Sequence, residues 1–412
     1  MTIAITNIVA LNGGDAAIVL GMIKTLQAKF GNQTKIICFA THPQTCSQLY
    51  PDIEWHETLG VSINRTPYNH IRYLGKIIRN LKKLKYFLIA KILSTTKIDL
   101  TFLLPKKTAK NIKRYYNSDI IISTGGTYLI ESYGMLSQIT DYNLSLFLGK
   151  KLWFYTQSIG PFNRSWSINK LRNIFSKSQL ILCRDQQTKD NIKSLDLNYI
   201  PDIRIEPDAA FALCNHNQIN LRQNDYFGKF KKMAFSVREW KHINNHEEVI
   251  GQYKKAIAKA AIYFISEGYQ VYFFSTCQGL KEYTDDSLLA KEICQLIPEH
   301  YHNNIRIIDS YLSISNIMNL LSNMDLIIAT RLHMCILSLI TGTPVFPIAY
   351  EFKTIELFHS LSYNHIPYMY EVNSIEICGQ IREFIIKYTP SFRRNIINQV
   401  KLMSTRALTV LN

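Results

Sequence analysis

The chain has no Cys-x-x-Cys pair and no cluster of His, Cys, Asp or Glu at ligand spacing. No structural zinc and no calcium loop is therefore expected. Its eight cysteines, Cys38, Cys46, Cys183, Cys214, Cys277, Cys294, Cys335 and Cys378, are scattered and mostly sit inside apolar runs. That pattern excludes a disulfide framework and fits reduced, buried thiols of a cytoplasmic protein. No apolar run reaches the roughly eighteen residues that span a bilayer. The longest candidate, around 327–340, is interrupted by Arg331 and His333, so any membrane association is expected to be peripheral, at the inner face of the cell membrane. The opening residues MTIAITNIVALNGGD carry no basic n-region or cleavage site, and no secretory signal is expected. Neither a G-x-G-x-x-G nor a P-loop occurs. Acidic residues are also few: 31 Asp and Glu stand against 47 Lys and Arg, for a formal charge of +16. Such an excess suits anionic partners such as a nucleotide, a phosphorylated or acidic sugar, nucleic acid or an anionic membrane. A bias toward Lys, Asn and Ile in the source genome would produce the same excess, so charge alone does not choose among them. Nucleic acid is the weakest of these, because the basic residues form no known motif and the aromatics lie in strands.

What is present is a globular composition. Apolar residues make up 47% and charged residues 19%, which excludes a disordered chain. A length of 412 residues suits two domains of about 200 residues each. Apolar runs of strand length alternate with helical periodicity throughout, as βαβα units do.

The most informative stretch is 325–347, DLIIATRLHMCILSLITGTPVFP. An apolar, β-branched strand at 326–329 is followed by Thr330 at the position of a helix N-cap. A helix over about 332–340 comes next, closed by Gly342 and a second strand that starts at Pro344. Arg331 and His333 thus fall at the carboxyl end of a strand and in the first turn of a helix. Backbone N–H groups and the helix dipole favour an anion there. Arginine adds a planar fork for carboxylate or phosphate, and histidine a group that moves a proton near neutral pH. Either residue alone also reads as a surface arginine or a half-buried structural histidine.

Other strand ends repeat the theme. A first strand over 3–11 runs into a turn, Asn12-Gly13-Gly14-Asp15, and then a helix over 16–30. Glycines there let backbone approach a ligand, with Asp15 near the helix start; an ordinary strand–helix turn reads the same way. The strand 119–124 ends in Gly125-Gly126-Thr127, the strand 151–159 in Gly160-Pro161, and the strand 179–183 in Arg184-Asp185. In open parallel sheets this edge binds ligands. Residues 64–118 are basic and helical in pattern, with Arg72, Lys76, Arg79, Lys82, Lys83, Lys85 and Lys91 interleaved with apolar Ile71, Leu74, Ile77, Ile78, Leu81, Leu84 and Leu88. This is either an amphipathic surface that touches anionic lipid or a solvated helix packed on its own domain. Polar residues 216–232 read as a linker. The resulting division is an N-terminal Rossmann-like domain over 1–215, a C-terminal one over 233–374, and a helical tail over 375–412 able to pack back on the first domain. The fold class is α/β, two Rossmann-like domains facing a cleft, as in GT-B proteins.

In order along the chain stand NGGDAAI, STGGTYL at 123–129, YTQSIGPF at 155–162, CRDQQT at 183–188, PDAAF at 207–211, SVREW at 236–240, TRLHM at 330–334 and TGTPVFPIAYEFKT at 341–354. With these pieces the chain resembles the bacterial polysaccharide pyruvyl transferase family. TRLHM followed by a lysine after the next strand is the most specific of them. Thr127 departs from the family's usual third glycine. The resemblance implies phosphoenolpyruvate as donor and no cofactor or metal. It also implies a glycan acceptor linked to a polyprenyl diphosphate, and a cyclic pyruvate ketal across two sugar hydroxyls as product. It assigns Arg184, Arg331 and Lys353 to the donor's charges and His333 to proton transfer, with the order of steps and the direction of that transfer open. Arg238 and Trp240 also match, with Arg238 reaching the substrate or forming an ion pair with Asp208 or Asp15. Gly13, Gly14, Asp15, Gly125 and Gly126 are expected as loop contacts.

Two other classes remain open at this level. A GT-B glycosyltransferase using a nucleotide-activated sugar shares the fold and the basic strand ends, though no acidic residue is clearly placed for a ribose unless Glu356 serves. A silent scaffold of an assembly complex has no need of Arg331, His333 and Lys353 together.

Overall fold

The computed structural model describes residues 1–65, 72–221, 231–241 and 245–412. The chain forms two compact units. One comprises Met1–Ala10, Ile18–Ala209 and Ala407–Asn412, the other Leu11–Ala17 and Ala210–Arg406. The division thus falls at Ala209, and the tail from 375 to 406 groups with the second unit. Within the stretch read as a linker, His216–Leu221 is a helix, Lys232 begins a strand, and 222–230 lie outside the described residues.

The first unit holds strands β1 (Thr2–Ile8), β2 (Lys35–Ala40), β3 (Glu54–Glu57), β4 (Ile120–Ser123), β5 (Gly126–Leu129), β6 (Lys151–Ile159), β7 (Leu180–Cys183) and β8 (Asp202–Ile205). They pair in the order β3-β2-β1-β4-β6-β7-β8, with β5 added to β6. The pairings are parallel. Parallel strands joined by helices are buried on both faces. That is why β4 and β7 read as unbroken apolar runs (IIIS and LILC) that are buried throughout. Phe154 of β6 meets Tyr142 and Phe175 edge-on at 5.0 and 4.9 Å between ring centroids, an attractive arrangement for aromatic rings.

The second unit holds β9 (Lys232–Ser236), β10 (Gln270–Phe273), β11 (Ile305–Ile307), β12 (Leu326–Ala329) and β13 (Val345–Pro347). Their order is β11-β10-β9-β12-β13, again parallel. The order reverses between β9 and β12, where Ala329 lies beside Ser236. Ligands in such sheets bind beyond the carboxyl ends at this reversal. Pro347, which has no N–H to give, lies in the edge strand β13.

Three local expectations need correction. The first helix is Gly13–Phe30, so Gly13, Gly14 and Asp15 form its first turn instead of preceding it. Asn12 caps it: its side-chain oxygen accepts from the Gly14 N–H at 2.8 Å and its carbonyl from the Ala16 N–H at 2.9 Å. The helix Leu332–Ile340 is capped at Arg331, not Thr330. The Thr330 hydroxyl is engaged by Tyr253 at 2.6 Å instead. Gly126 and Thr127, expected to close the strand before them, instead begin the short strand β5. The basic region divides into helices Leu59–Asn64, Arg72–Thr96 and Lys106–Asn117. Ile71 lies outside the described residues, as do the side chains of Arg72 and Leu74.

Candidate active site

In the second unit the end of β12 turns directly into the helix Leu332–Ile340. Arg331, the residue at that corner, is 7% exposed. It is held from one side by Asp286, the first residue of the helix Asp286–Gln295. The Arg331 Nε donates to Asp286 Oδ2 at 2.5 Å and Nη2 to Oδ1 at 2.7 Å, a two-pronged pair that fixes the guanidinium plane. Asp286 is 3% exposed and also accepts from the Ser275 hydroxyl at 2.5 Å. Burial works against the Arg331 charge, but the Asp286 carboxylate offsets it, and its pKa stands above the ordinary arginine value. Burial likewise pushes the Cys277 thiol up, to about 12, with Arg331 pulling the other way. Cys277 is therefore a neutral thiol at this corner.

The Asn12-Gly13-Gly14-Asp15 turn joins the same cluster. The Gly13 N–H donates to the Thr276 carbonyl at 2.8 Å, and the Cys277 thiol to the Asn12 side-chain oxygen at 3.2 Å. A methyl on Gly13 would lie 2.7 Å from the Thr276 oxygen. A methyl on Gly14 would lie 2.5 Å from Nδ1 and 2.7 Å from Cγ of His333. Both glycines are thus explained by close approach, the second because the His333 ring rests on its backbone. Asp15 is near enough to Cys277 and Tyr283 to raise both pKa values behind the larger effect of burial.

Beyond β9, Arg238 packs against a pair of aromatic rings whose own centres are 4.8 Å apart. Its guanidinium carbon is 4.1 Å from the centre of Tyr350 and 4.7 Å from that of Trp240. Both contacts are of the cation–π kind and hold the guanidinium against the two rings. Tyr350 also lies near Arg331, so it stands close to both arginines. Lys353 stands in the first turn of the helix Phe352–Ser360, with its amine 3.4 Å from Glu351.

The first unit carries the remaining candidates. Arg184 donates to Asp208 at 2.8 Å, to the Ser158 hydroxyl at 2.9 Å and to that of Thr127 at 3.2 Å. Asp208, a candidate partner of Arg238 by sequence, is thus the partner of Arg184. Asp185, the immediate neighbour, instead caps the helix Gln186–Lys193 by accepting from the Thr188 N–H at 2.7 Å. Gly126 has φ +109°, which a side chain rarely adopts. A methyl on Gly125 would sit 2.8 Å from Ile18 Cγ2.

The structure therefore groups Gly13, Gly14, Asp15, Arg331 and His333, with Tyr350 close to both Arg331 and Arg238. Separately, it groups Arg184, Asp208 and the Gly125-Gly126-Thr127 segment. Sequence reasoning missed Asp286, Ser275, Cys277 and Tyr283. Asp286 follows Asp285, and the pair reads as ordinary helix capping. Asp285 does take that role, accepting from the Ser287 N–H at 2.9 Å. Among the described residues no group of three or more His, Cys, Asp or Glu could hold a metal ion.

This architecture defines the GT-B class. A solved UDP-GlcNAc 2-epimerase from Neisseria meningitidis, bound to UDP-GlcNAc, matches with a TM-score of 0.55 at 11% identity, over 100% of this chain and 97% of that one. Trehalose-6-phosphate synthase OtsA matches with a TM-score of 0.56 at 10% identity, over 98% of this chain and 95% of that one. At these identities the likeness is one of fold. Residues 12–351, the span holding both arginine clusters and His333, match the profile of the polysaccharide pyruvyl transferases, and the chain belongs to that family. It is also similar to the amylovoran biosynthesis protein AmsJ of Erwinia amylovora, 27% identical over 263 residues that make up 61% of this chain and 60% of AmsJ.

Proposed function

We propose that this protein is a polysaccharide pyruvyltransferase of exopolysaccharide synthesis. It moves the enolpyruvyl group of phosphoenolpyruvate onto two hydroxyls of one sugar and releases phosphate. The observation that carries this reading is the corner at the β9/β12 reversal. There a buried Arg331–Asp286 pair, the His333 ring and the Gly13–Gly14 backbone converge within a chain of this family.

The chemistry balances with the groups present. The donor's methylene carbon gains a proton and becomes a methyl group. The resulting cationic carbon is attacked by the first hydroxyl oxygen, the bond to the phosphate oxygen breaks, and the second hydroxyl oxygen closes the ketal. Of the two hydroxyl protons, one replaces that given to the methylene and the other leaves with phosphate. His333 carries one of these transfers, with its ring held against the Gly14 backbone. The donor's carboxylate and phosphate need cationic forks. Because Asp286 compensates Arg331, that arginine acts mainly as an oriented donor: a guanidinium has more N–H groups than Asp286 takes. Arg238 and Lys353 of the same unit supply further positive charge. The acceptor is a glycan precursor, linked to a polyprenyl diphosphate, and no cofactor is required.

The test is phosphate release from phosphoenolpyruvate with lipid-linked and aryl glycosides. His333→Gln serves better than Arg331→Ala, which would leave Asp286 bare. Acceptor-dependent release, lost in His333→Gln, is the expected result. No release with any acceptor, together with tight binding of a nucleotide sugar, would replace this reading with glycosyl transfer.

A further inference from the structure

The helix Arg72–Thr96 of the first unit has two apolar faces, and only one of them is used by the fold. Tyr86, Ile89, Ala90 and Leu93 are buried. On the opposite side Ile77, Leu81, Leu84 and Leu88 are 56%, 62%, 66% and 58% exposed. At ~100° per residue these four fall within an arc of about 60°. They form a continuous ridge three turns long. Isolated exposed leucines are ordinary, but an unbroken aliphatic ridge is not. The ridge continues onto a neighbouring turn: Phe102 and Leu103 are 73% and 51% exposed, and the Lys85 amine donates to the Leu103 carbonyl at 2.9 Å, tying that turn to the helix.

The charge around the ridge selects its partner. The helix contains no Asp or Glu. Lys85 and Lys91, both exposed, border the ridge on opposite sides, about 40° and 20° beyond its edges at ~100° per residue, and Lys76 and Lys83 stand further round. Aliphatic side chains flanked by lysines, with no acid among them, are the complement of an anionic lipid surface. Leucines enter the acyl boundary while lysines reach up to the headgroups. Among the described residues no helix is long and apolar enough to cross a membrane, so the contact would lie in the interface plane.

We propose that the Ile77–Leu81–Leu84–Leu88 ridge, with Phe102 and Leu103, docks this protein on an anionic membrane surface. This does not depend on the donor chemistry. It would, however, bring the enzyme to a lipid-linked acceptor and raise the local concentration of both.

The experiment is co-sedimentation of the full chain with vesicles, beside its mass in solution by light scattering. Vesicles are phosphatidylcholine alone, or an equal mixture of phosphatidylcholine and phosphatidylglycerol. Binding to the mixed vesicles that weakens in high salt is expected, with little on the neutral ones. Leu81→Ser/Leu84→Ser should lower partitioning by about tenfold or more, and Lys76→Glu/Lys91→Glu by about tenfold. These positions are exposed, and an unchanged circular-dichroism melt confirms that the variants fold. The proposal is overturned by equal binding to both vesicles or by no binding to either. It is equally overturned by a dimer in solution that Leu81→Ser/Leu84→Ser dissociates, which would make the ridge an interface between copies of this chain. Failure here with phosphoenolpyruvate turnover intact leaves the pyruvyl-transfer reading untouched.

Discussion

Asp286→Asn isolates the contribution of the Arg331 pair. The substitution keeps the size of the side chain and removes its charge. Arg331 and Asp286 are 7% and 3% exposed, so water cannot take over from the lost carboxylate. Two hydrogen bonds between charged partners, at 2.5 and 2.7 Å, become at best one, from the guanidinium to a neutral amide oxygen. Breaking a buried pair in this way costs about 3–5 kcal/mol, and the surviving amide acceptor puts Asp286→Asn near the lower end. For a domain of this size each kcal/mol lowers the midpoint by about 2–4 °C, so the transition of the second unit should fall by roughly 6–12 °C. Calorimetry reads this directly, because two units can unfold in separate transitions. Removing both charges should do less harm than removing one. Asp286→Leu/Arg331→Met should therefore be more stable than Asp286→Leu alone, a positive coupling in a double-mutant cycle. A midpoint within about 2 °C of wild type for Asp286→Asn, or simple additivity in the cycle, would refute a buried, mutually dependent pair.

Gly14→Ala places a methyl 2.5 Å from His333 Nδ1, so the ring must shift. A displacement on the order of 1 Å at a reacting group costs ~100-fold in rate, and steady-state kinetics should show that loss in kcat with a nearly unchanged melting curve. Trp240→Ala removes one of the two rings stacked on Arg238 and, at about 1 kcal/mol for such a contact, should raise the donor KM about fivefold with kcat retained. Asp141, fully buried in the first unit, accepts from Thr6, from the Tyr115 hydroxyl at 3.0 Å and from the Gly60 N–H at 3.2 Å. Burial, opposed by these hydrogen bonds, pushes its pKa up to about 6 from 3.8. The folded state thus binds this proton more tightly than the unfolded one. The contribution is full below pH 3.8 and is lost as pH rises through about 6, an effect of about 3 kcal/mol at most. Denaturant melts across this range should show that loss in wild type and a flatter profile in Asp141→Asn.

The central strands were legible because parallel sheets bury both faces, whereas the short strands β3, β5 and β8 were not. Runs such as LIIA at 326–329 can hardly be anything else, and the helix after them begins and ends where its periodicity says. The glycines of Asn12-Gly13-Gly14-Asp15 were recognisable as points of close approach, but not what approaches them. Thr276 and His333 are brought there by folding, over a separation that leaves no local signal. The same holds for Arg331. Its place at the end of β12 follows from sequence, whereas its bond to Asp286 spans forty-five positions and joins elements that read independently. Arg184 shows that the neighbour in sequence need not be the partner in space: the adjacent Asp185 is consumed by helix capping, and the arginine turns to Asp208. The ridge on Arg72–Thr96 was visible as amphipathic spacing, yet which apolar residues pack and which face outward is a property of the fold alone.

The most direct test of the central claim is the product made from phosphoenolpyruvate and a glycoside acceptor in deuterated water, read by mass spectrometry and NMR. Pyruvyl transfer predicts an acceptor heavier by one pyruvate ketal, whose methyl group carries a single solvent-derived deuterium, and no such product from His333→Gln. A ketal methyl without deuterium would contradict protonation of the donor methylene, and an acceptor that gains a sugar residue from a nucleotide donor instead would contradict pyruvyl transfer itself.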